Sequence, residues 1–215
     1  MPNIYFYKLT VDDGGAPCVE NDLLSLAICK PMIRSTATKG DIVIGFAANS
    51  LHPDNRLIYV ARVNDKLVNG DYFRPGKYNG RADCIYEWRG GRFAARAGAI
   101  YHSSPKDLAH DLGEHPDYPR ANTLLSREFC YFGGSGSDAY KKAFPIVAKA
   151  VAALGRGHRV HHDPGLLAEL ERLARWSCAL NGACVQGQPT GKPRRGVSHR
   201  GGGCGVAKCQ ARIKP

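Results

Sequence analysis

The chain has 215 residues, of which 43% are hydrophobic and 23% are charged, and its net charge is +11. This balance argues against a disordered chain, and the lack of any apolar run near the roughly 20 residues of a membrane span argues against a membrane protein. The amino-terminal residues also lack the apolar run of a secretory signal, so we expect a cytoplasmic protein with no membrane partner.

The positive charge is concentrated at the carboxyl end of the chain. From Gln188 to Pro215 there are seven Lys or Arg and no acidic residue, so this segment contributes +7 of the total and the rest carries +4. We predict one domain over residues 1–187 and a basic tail over 188–215. Such a tail attracts phosphate without sequence preference, which makes Arg194 and Arg195 candidate nucleic-acid contacts; the alternative is a solvated extension.

Short strands are predicted in the first part of the chain. Residues Asn3 to Thr10 alternate around aromatic side chains, as in a half-buried strand. Apolar residues at helical spacing then predict a helix from Asn21 to about Lys30, where Pro31 interrupts the pattern. A Gly-Asp turn leads into a strand over Ile42 to Phe46, and the β-branched and aromatic residues 56–63 predict the next strand.

The second half of the chain combines an insertion, a last strand and two helices. Within the Gly-rich and Pro-rich insertion, a hairpin turns at Gly90-Gly91. A strand over Glu128 to Phe132 is followed by a helical extension from about residue 139, with predicted helices over Tyr140 to Leu154 and Pro164 to Cys178. Strands first and helices appended favour the α+β class.

Two patterns near this extension could hold a ligand. The glycine-rich residues 133–136 follow a strand and precede a helix, as a phosphate cradle does, but they lack the lysine of such loops, so a plain turn is the alternative. Thiolates could form a zinc site, although their spacing is looser than in structural zinc sites, so we predict no metal and no cofactor. The candidate ligands are Cys178, Cys184, Cys204 and Cys209, around His199.

Cys29 lies beside two cationic residues near the predicted helix end. The cations Lys30 and Arg34 favour a reactive thiolate, whereas the negative end of a helix disfavours it. We therefore interpret Cys29 as a pocket wall, and Lys30 and Arg34 as contacts to a phosphate or a base edge. Asp41 is interpreted as a turn residue whose carboxylate bonds neighbouring amides.

Several segments, taken in order, resemble the second type of nucleotide-modification-associated domain, a family of bacteria and phages. The matching pieces span about residues 4–135 and are the Tyr7 strand, LAICKPMIRSTATKGDIVIGF, LIYVARVNDKL with Asp71-Tyr72-Phe73, Asp83-Cys84-Ile85-Tyr86, Tyr101-His102-Ser103 and Leu125 to Gly133. The family is similar to the small barrels that include pseudouridine-synthase-associated (PUA), EVE and YTH-type domains. The resemblance therefore implies a small, twisted, partly open β-barrel with helices at its mouth, in systems that handle modified DNA bases.

The resemblance favours a module that recognises a modified base in DNA, or assists DNA-modification enzymes, over two alternatives. One alternative is a hydrolase-like or nuclease-like enzyme using His102, Lys30 and Asp41; the other is a protein-interaction scaffold. A cluster of these three side chains in one cleft would favour the enzyme, and a concave aromatic pocket would favour the reader. The candidate nucleic-acid contacts in the domain are Lys30, Arg34, Trp88, Tyr101, His102, Ser126, Tyr131 and Phe132.

Overall fold

A computed structural model describes residues 2–102, 104–177 and 179–190. The strands are β1 (Ile4–Leu9), β2 (Cys18–Glu20), β3 (Leu23–Leu26), β4 (Ile42–Ala47), β5 (Leu57–Arg62), β6 (Asp65–Leu67), β7 (Tyr86–Arg89), β8 (Arg92–Ala95), β9 (Thr123–Ser126), β10 (Glu128–Tyr131), β11 (His158–Arg159) and β12 (Ala183–Val185). The helices are α1 (Pro31–Thr36), α2 (Pro105–Leu112), α3 (Tyr140–Ala143), α4 (Pro145–Ala153) and α5 (Pro164–Trp176).

These strands form two main sheets and a hairpin. The larger sheet has six strands in the order β11-β1-β4-β5-β10-β12, with β1 parallel to β4 and β10 parallel to β12. The smaller sheet has four antiparallel strands in the order β2-β3-β9-β6, and β7 pairs with β8.

Alternation along β1 shows how the larger sheet is covered on both faces. Ile4 and Phe6 belong to a core cluster with residues of α4 and α5, whereas Tyr5 and Tyr7 belong to a cluster with Leu24 and other residues of the smaller sheet. Successive side chains of a strand point to opposite faces. The larger sheet is therefore packed between the helices on one face and the smaller sheet on the other.

The two sheets are joined where β9 and β10 are separated by Arg127 alone. The side chain of Asn64, just after β5, accepts hydrogen bonds from the backbone N–H groups of Arg127 and Glu128 and donates to the Glu128 carboxylate. This corner holds the smaller sheet against the larger one. The insertion between β6 and β9 then packs its apolar residues on the outer face of the smaller sheet.

The α+β class is confirmed, with sheets dominating and five α-helices in the described residues. Within the same residues no closed barrel forms, so a PUA-like barrel stays a prediction. The predicted helices at the carboxyl side are confirmed as α3 to α5, and Pro145 opens α4 as its first residue. No helix in the described ranges is long and apolar enough to cross a membrane.

The helix predicted from Asn21 to Lys30 is wrong. This segment forms the end of a turn, β3 and a bend, and the helix begins only at Pro31. All four residues of β3 are buried, with Leu24 and Leu26 facing the larger sheet and Leu23 facing the insertion. A strand that is buried on both faces shows no alternation of polar and apolar residues. The apolar residues of β3 were therefore taken for the apolar face of a helix.

Candidate active site

A strained turn carries Cys29 between β3 and α1. Cys29 has a φ of 58° and Lys30 a φ of 42°, so two consecutive non-glycine residues adopt the left-handed conformation. Each such residue costs about 1–3 kcal/mol and persists only where its surroundings fix it, often at functional sites. Cys29 therefore precedes α1, and the helix that the sequence predicted to end near Lys30 is not present.

Three side chains form a hydrogen-bonded relay at this turn. The Sγ atom of Cys29 lies 3.4 Å from Nε2 of His102, and Nδ1 of the same ring lies 2.5 Å from Oδ2 of Asp111. His102 comes from the loop before α2, where its φ of 42° is also left-handed, and Asp111 from the last turn of α2. A nucleophile, a base and a carboxylate that orients the base are the parts of a catalytic triad.

Asp111 is fixed by contacts on both of its oxygens. Its side chain is fully buried; Oδ1 accepts from the backbone N–H of Cys29 at 2.7 Å, and Oδ2 accepts from the hydroxyl of Tyr86 at 2.9 Å. Burial raises the pKa of Tyr86, so this hydroxyl keeps its proton as a donor. The carboxylate thus holds both the imidazole of His102 and the backbone of Cys29.

Arg34 also holds the Cys29 turn, through hydrogen bonds to backbone carbonyls. Its side chain is fully buried, with Nε donating to the carbonyl of Cys29 at 2.6 Å and Nη2 donating to the carbonyl of Asp111 at 2.7 Å. Nη1 donates to the carbonyls of Arg120 and Asn122. Burial lowers the pKa of Arg34 to about 10, which still leaves it charged at neutral pH. The guanidinium predicted to meet a phosphate is therefore enclosed, and it positions the Cys29 turn.

The protonation of His102 follows from its neighbours. The hydrogen bond to Asp111 raises the pKa of His102 to about 10, with a further contribution from Cys29. At neutral pH the ring is then an imidazolium, in which both nitrogens are donors. Nε2 therefore donates to the Cys29 sulfur, and a thiolate is the stronger acceptor of this bond. The arrangement places a proton donor directly on the Cys29 sulfur.

The relay opens into a cleft of about 270 Å³. The loop before β2 and the loop before α2 form its walls, and the hydroxyl of Tyr101 donates to the carbonyl of Asp13 to link them. Of the aromatic residues predicted to wall a pocket, Tyr101 is the one that lines this cleft. The lining residues are Leu9, Thr10, Val11, Asp13, Gly15, Ala16, Ile28, Cys29, Lys30, Ile100, Tyr101 and His102.

The structure brings Lys30 and His102 together but places Asp41 elsewhere. The Asp41 carboxylate accepts hydrogen bonds from the backbone N–H groups of Asn3 and Thr38, both at 2.8 Å. Asp41 is thus the turn residue that the sequence indicated. The carboxylate that completes the relay with His102 is Asp111.

The remaining candidate contacts in the domain lie outside the cleft lining. Trp88 is 36% exposed on the hairpin, with the Arg74 guanidinium 4.9 Å from its ring centroid. Tyr131 and Ser126 are buried; the Tyr131 hydroxyl donates to Asp12, and Ser126 donates to a backbone carbonyl. Phe132 packs against the core shared by the larger sheet and the helices.

The glycine-rich loop is filled by the chain itself. The N–H of Gly134 donates to the carbonyl of Gln188, and the N–H and hydroxyl of Thr190 donate to the carbonyl of Asp12. An added Cβ at Gly133 would meet the backbone of Gln188. Residues 187–190 thus occupy the space beside residues 133–136 where the sequence suggested a phosphate site. The glycine-rich loop serves as a turn.

The zinc ligands considered from the sequence are only partly within the described residues. Cys184 is buried on β12, in register with Cys130. Cys178, Cys204, Cys209 and His199, like the tail residues Arg194 and Arg195, lie outside the described residues. Among the described residues no group of three or more His, Cys, Asp or Glu side chains could hold a metal ion.

Asp111 and Tyr86 were not recognised as functional from the sequence. Asp111 lies 82 positions from Cys29 along the chain. One local signal was present, because Ser104 and Asp107 form a capping box that starts α2 and so fixes where Asp111 falls. Nothing local indicates that this helix end meets the turn after β3.

One family model matches the chain, that of nucleotide modification associated domain 2, over residues 1–194. Comparisons with the curated proteins and with the solved structures found no match. The match extends well beyond the segments that carried the resemblance, and it includes the whole relay. The chain therefore belongs to the nucleotide modification associated domain 2 family, which associates it with nucleic-acid modification systems.

Proposed function

We propose that this protein is a thiol-dependent enzyme that transfers or hydrolyses an acyl group of a modified nucleotide or base. The observation that carries the proposal is the relay in which Cys29, His102 and Asp111 are joined by two contacts of 3.4 and 2.5 Å. Its cysteine is accessible from a cleft, whereas the other cysteines of the described domain are buried. Accessibility beside a histidine distinguishes a reactive thiol from a packed one.

The relay performs acyl transfer in two steps. The Cys29 sulfur attacks the carbonyl carbon, an S–C bond forms, and the bond from that carbon to the leaving nitrogen or oxygen breaks as His102 gives it a proton. Water or another acceptor then attacks the thioester, His102 takes the acceptor's proton, and the sulfur leaves. Asp111 orients the imidazolium through its contact with Nδ1 and stabilises it.

The family assignment supports a substrate from nucleotide modification. The sequence predicted that the protein recognises a modified base. In this proposal, the modification that it recognises is the acyl group on which the enzyme acts. Tyr101 supports such recognition, because its ring lines the cleft that also holds Cys29 and could contact a base face. The cleft admits one small group, so a base in a duplex would have to leave the stack to enter.

An ester substrate that reports on the thiol tests the chemistry without knowledge of the natural substrate. We expect p-nitrophenyl acetate to release p-nitrophenolate in a burst, with one acetyl group found on Cys29 by tandem mass spectrometry. His102→Asn should slow acetylation by about 10²-fold or more, since general acid-base groups contribute about that much. Equal acetylation rates in wild type and His102→Asn would contradict the relay.

Two controls separate chemistry from folding. Cys84→Ala removes a cysteine that is buried in the insertion, so it should retain the burst, whereas Cys29→Ala should lose it. Circular dichroism of each variant checks the fold.

N-acylated nucleosides test the substrate class. We expect wild type, but not Cys29→Ala, to release the acyl group.

Binding to DNA tests whether the proposed substrate is a polymer. Duplexes with and without N-acylated bases are compared at several salt concentrations, in the full chain and in a chain that lacks residues 191–215. Tighter binding of the modified duplex in both chains is expected. Equal binding of both duplexes, lost on deletion, would leave only the charge of the tail as a cause.

A further inference from the structure

Lys30 brings a positive charge into the cleft next to the nucleophile. It follows Cys29 directly, its backbone has the same left-handed conformation, and both side chains line the cleft. Its Nζ atom lies 4.8 Å from the centre of the Tyr7 ring. The same strained turn therefore presents both the thiol and this ammonium to the cleft.

The Lys30 ammonium has no carboxylate partner among the described residues; burial lowers its pKa, and the neighbouring Cys29 sulfur opposes that shift. None of the ion pairs found there includes it, and no acceptor within hydrogen-bond distance of Nζ is present in that part of the chain. The Tyr7 ring supplies a contact of about 0.5–2 kcal/mol. Partly buried charges are ordinarily paired, so this ammonium retains the capacity to bind an anion.

The other charged groups around the cleft limit where an anion can bind. Asp13 also lines the cleft, and its carboxylate accepts from the N–H of Gly15 at 3.0 Å. His102 is cationic, but its two donors are directed at Asp111 and Cys29. Lys30 is therefore the cation of this cleft whose donors have no acceptor in the described structure.

We infer that Lys30 binds an anionic group of the substrate, a carboxylate or a phosphate, while Cys29 attacks the nearby carbonyl. This inference rests on the proposed function and adds a substrate class, that of acyl compounds with a negative charge close to the reacting carbon. Lys30 is then a residue that determines specificity, and Arg34, three positions from the helix start, is excluded from this role by its enclosure.

Two alkylating reagents that differ in charge test this inference. Iodoacetate carries a carboxylate and iodoacetamide is neutral, and both react with a thiolate. The ratio of their rates at Cys29 should fall about tenfold or more in Lys30→Met, as expected for one hydrogen bond to a charged group, and should be restored in Lys30→Arg. Tandem mass spectrometry assigns each adduct to Cys29.

The outcomes separate this inference from the proposed function. If Lys30→Met slows both reagents equally, Lys30 acts only on the sulfur and the inference is wrong, although the thiol enzyme stands. If neither reagent modifies Cys29 in wild type, the proposed function fails as well.

Protection experiments with the wild type identify the anion and do not depend on a variant. Inorganic phosphate and acetate are each tested for slowing the reaction of Cys29 with iodoacetamide. Protection by phosphate assigns the group to a nucleotide phosphate, and protection by acetate assigns it to a carboxylate of the acyl group. Lack of protection by both anions overturns the inference.

Discussion

Asp111→Asn should return His102 to an ordinary histidine. The substitution keeps the size of the side chain and removes the charge that the 2.5 Å contact to Nδ1 depends on. Because the hydrogen bond to Asp111 is the largest cause of the raised pKa of about 10, we expect the pKa to fall towards 6.5. At pH 8 roughly 99% of the wild-type rings would be protonated, against about 3% in a variant with the ordinary value.

Proton NMR titration of the histidine ring measures this change. The His102 resonance is assigned from its absence in His102→Asn, and Glu114→Gln, an exposed carboxylate just past α2, is the matched control that should leave the pKa unchanged. Because the pKa of His102 is raised in the folded state, its protonated ring stabilises that state. This contribution is fully present below about pH 6.5 and is lost as pH rises towards 10. A wild-type pKa near 6.5, or an unchanged value in Asp111→Asn, would refute the relay.

Three further predictions concern stability and are measured by urea unfolding. Burial raises the pKa of Asp12 to about 6, so its charged form costs stability as pH rises from about 4 to 6. Asp12→Asn should therefore be more stable than wild type by up to about 3 kcal/mol above pH 6. A stability difference that does not change with pH would contradict this. Gly45→Ala should cost about 1–3 kcal/mol, since its Cβ would overlap the Tyr59 ring, whereas Gly155→Ala, with open space around it, should be nearly neutral. Arg34→Met should cost about 3–5 kcal/mol, because it removes a cation beside the buried Asp111 carboxylate and leaves the carbonyls of Cys29 and Asp111 without their donor; a loss below 1 kcal/mol would show that these contacts are not needed.

Elements with a clear period were predictable from the sequence. In β1 the alternating residues face two different cores, and in α5 the apolar residues recur at helical spacing, so both were assigned correctly. The strand β3 was assigned to a helix because both of its faces are buried, which removes the period of two on which such assignments depend. That error moved Cys29 to the wrong end of a helix.

The candidate site was only partly predictable for a related reason. Lys30 and His102 were named from the sequence, but Cys29 was interpreted as a pocket wall, and the carboxylate was sought at Asp41, which bonds Asn3 and Thr38 instead. The true partner is supplied by packing of the insertion against the turn after β3. Such a contact depends on tertiary structure and leaves no spacing signature.

The energetics of the Cys29 turn argue that it is kept for function. Two left-handed non-glycine residues cost about 1–3 kcal/mol each, and a buried ion pair such as Arg34–Asp111 often contributes no net stability. Yet both partners of this pair hold the Cys29 backbone: Arg34 donates to the carbonyl of Cys29, and Asp111 accepts from the N–H of Cys29. A turn that served only to connect β3 to α1 would gain nothing from this arrangement. It fixes the sulfur against His102, which is what a nucleophile requires.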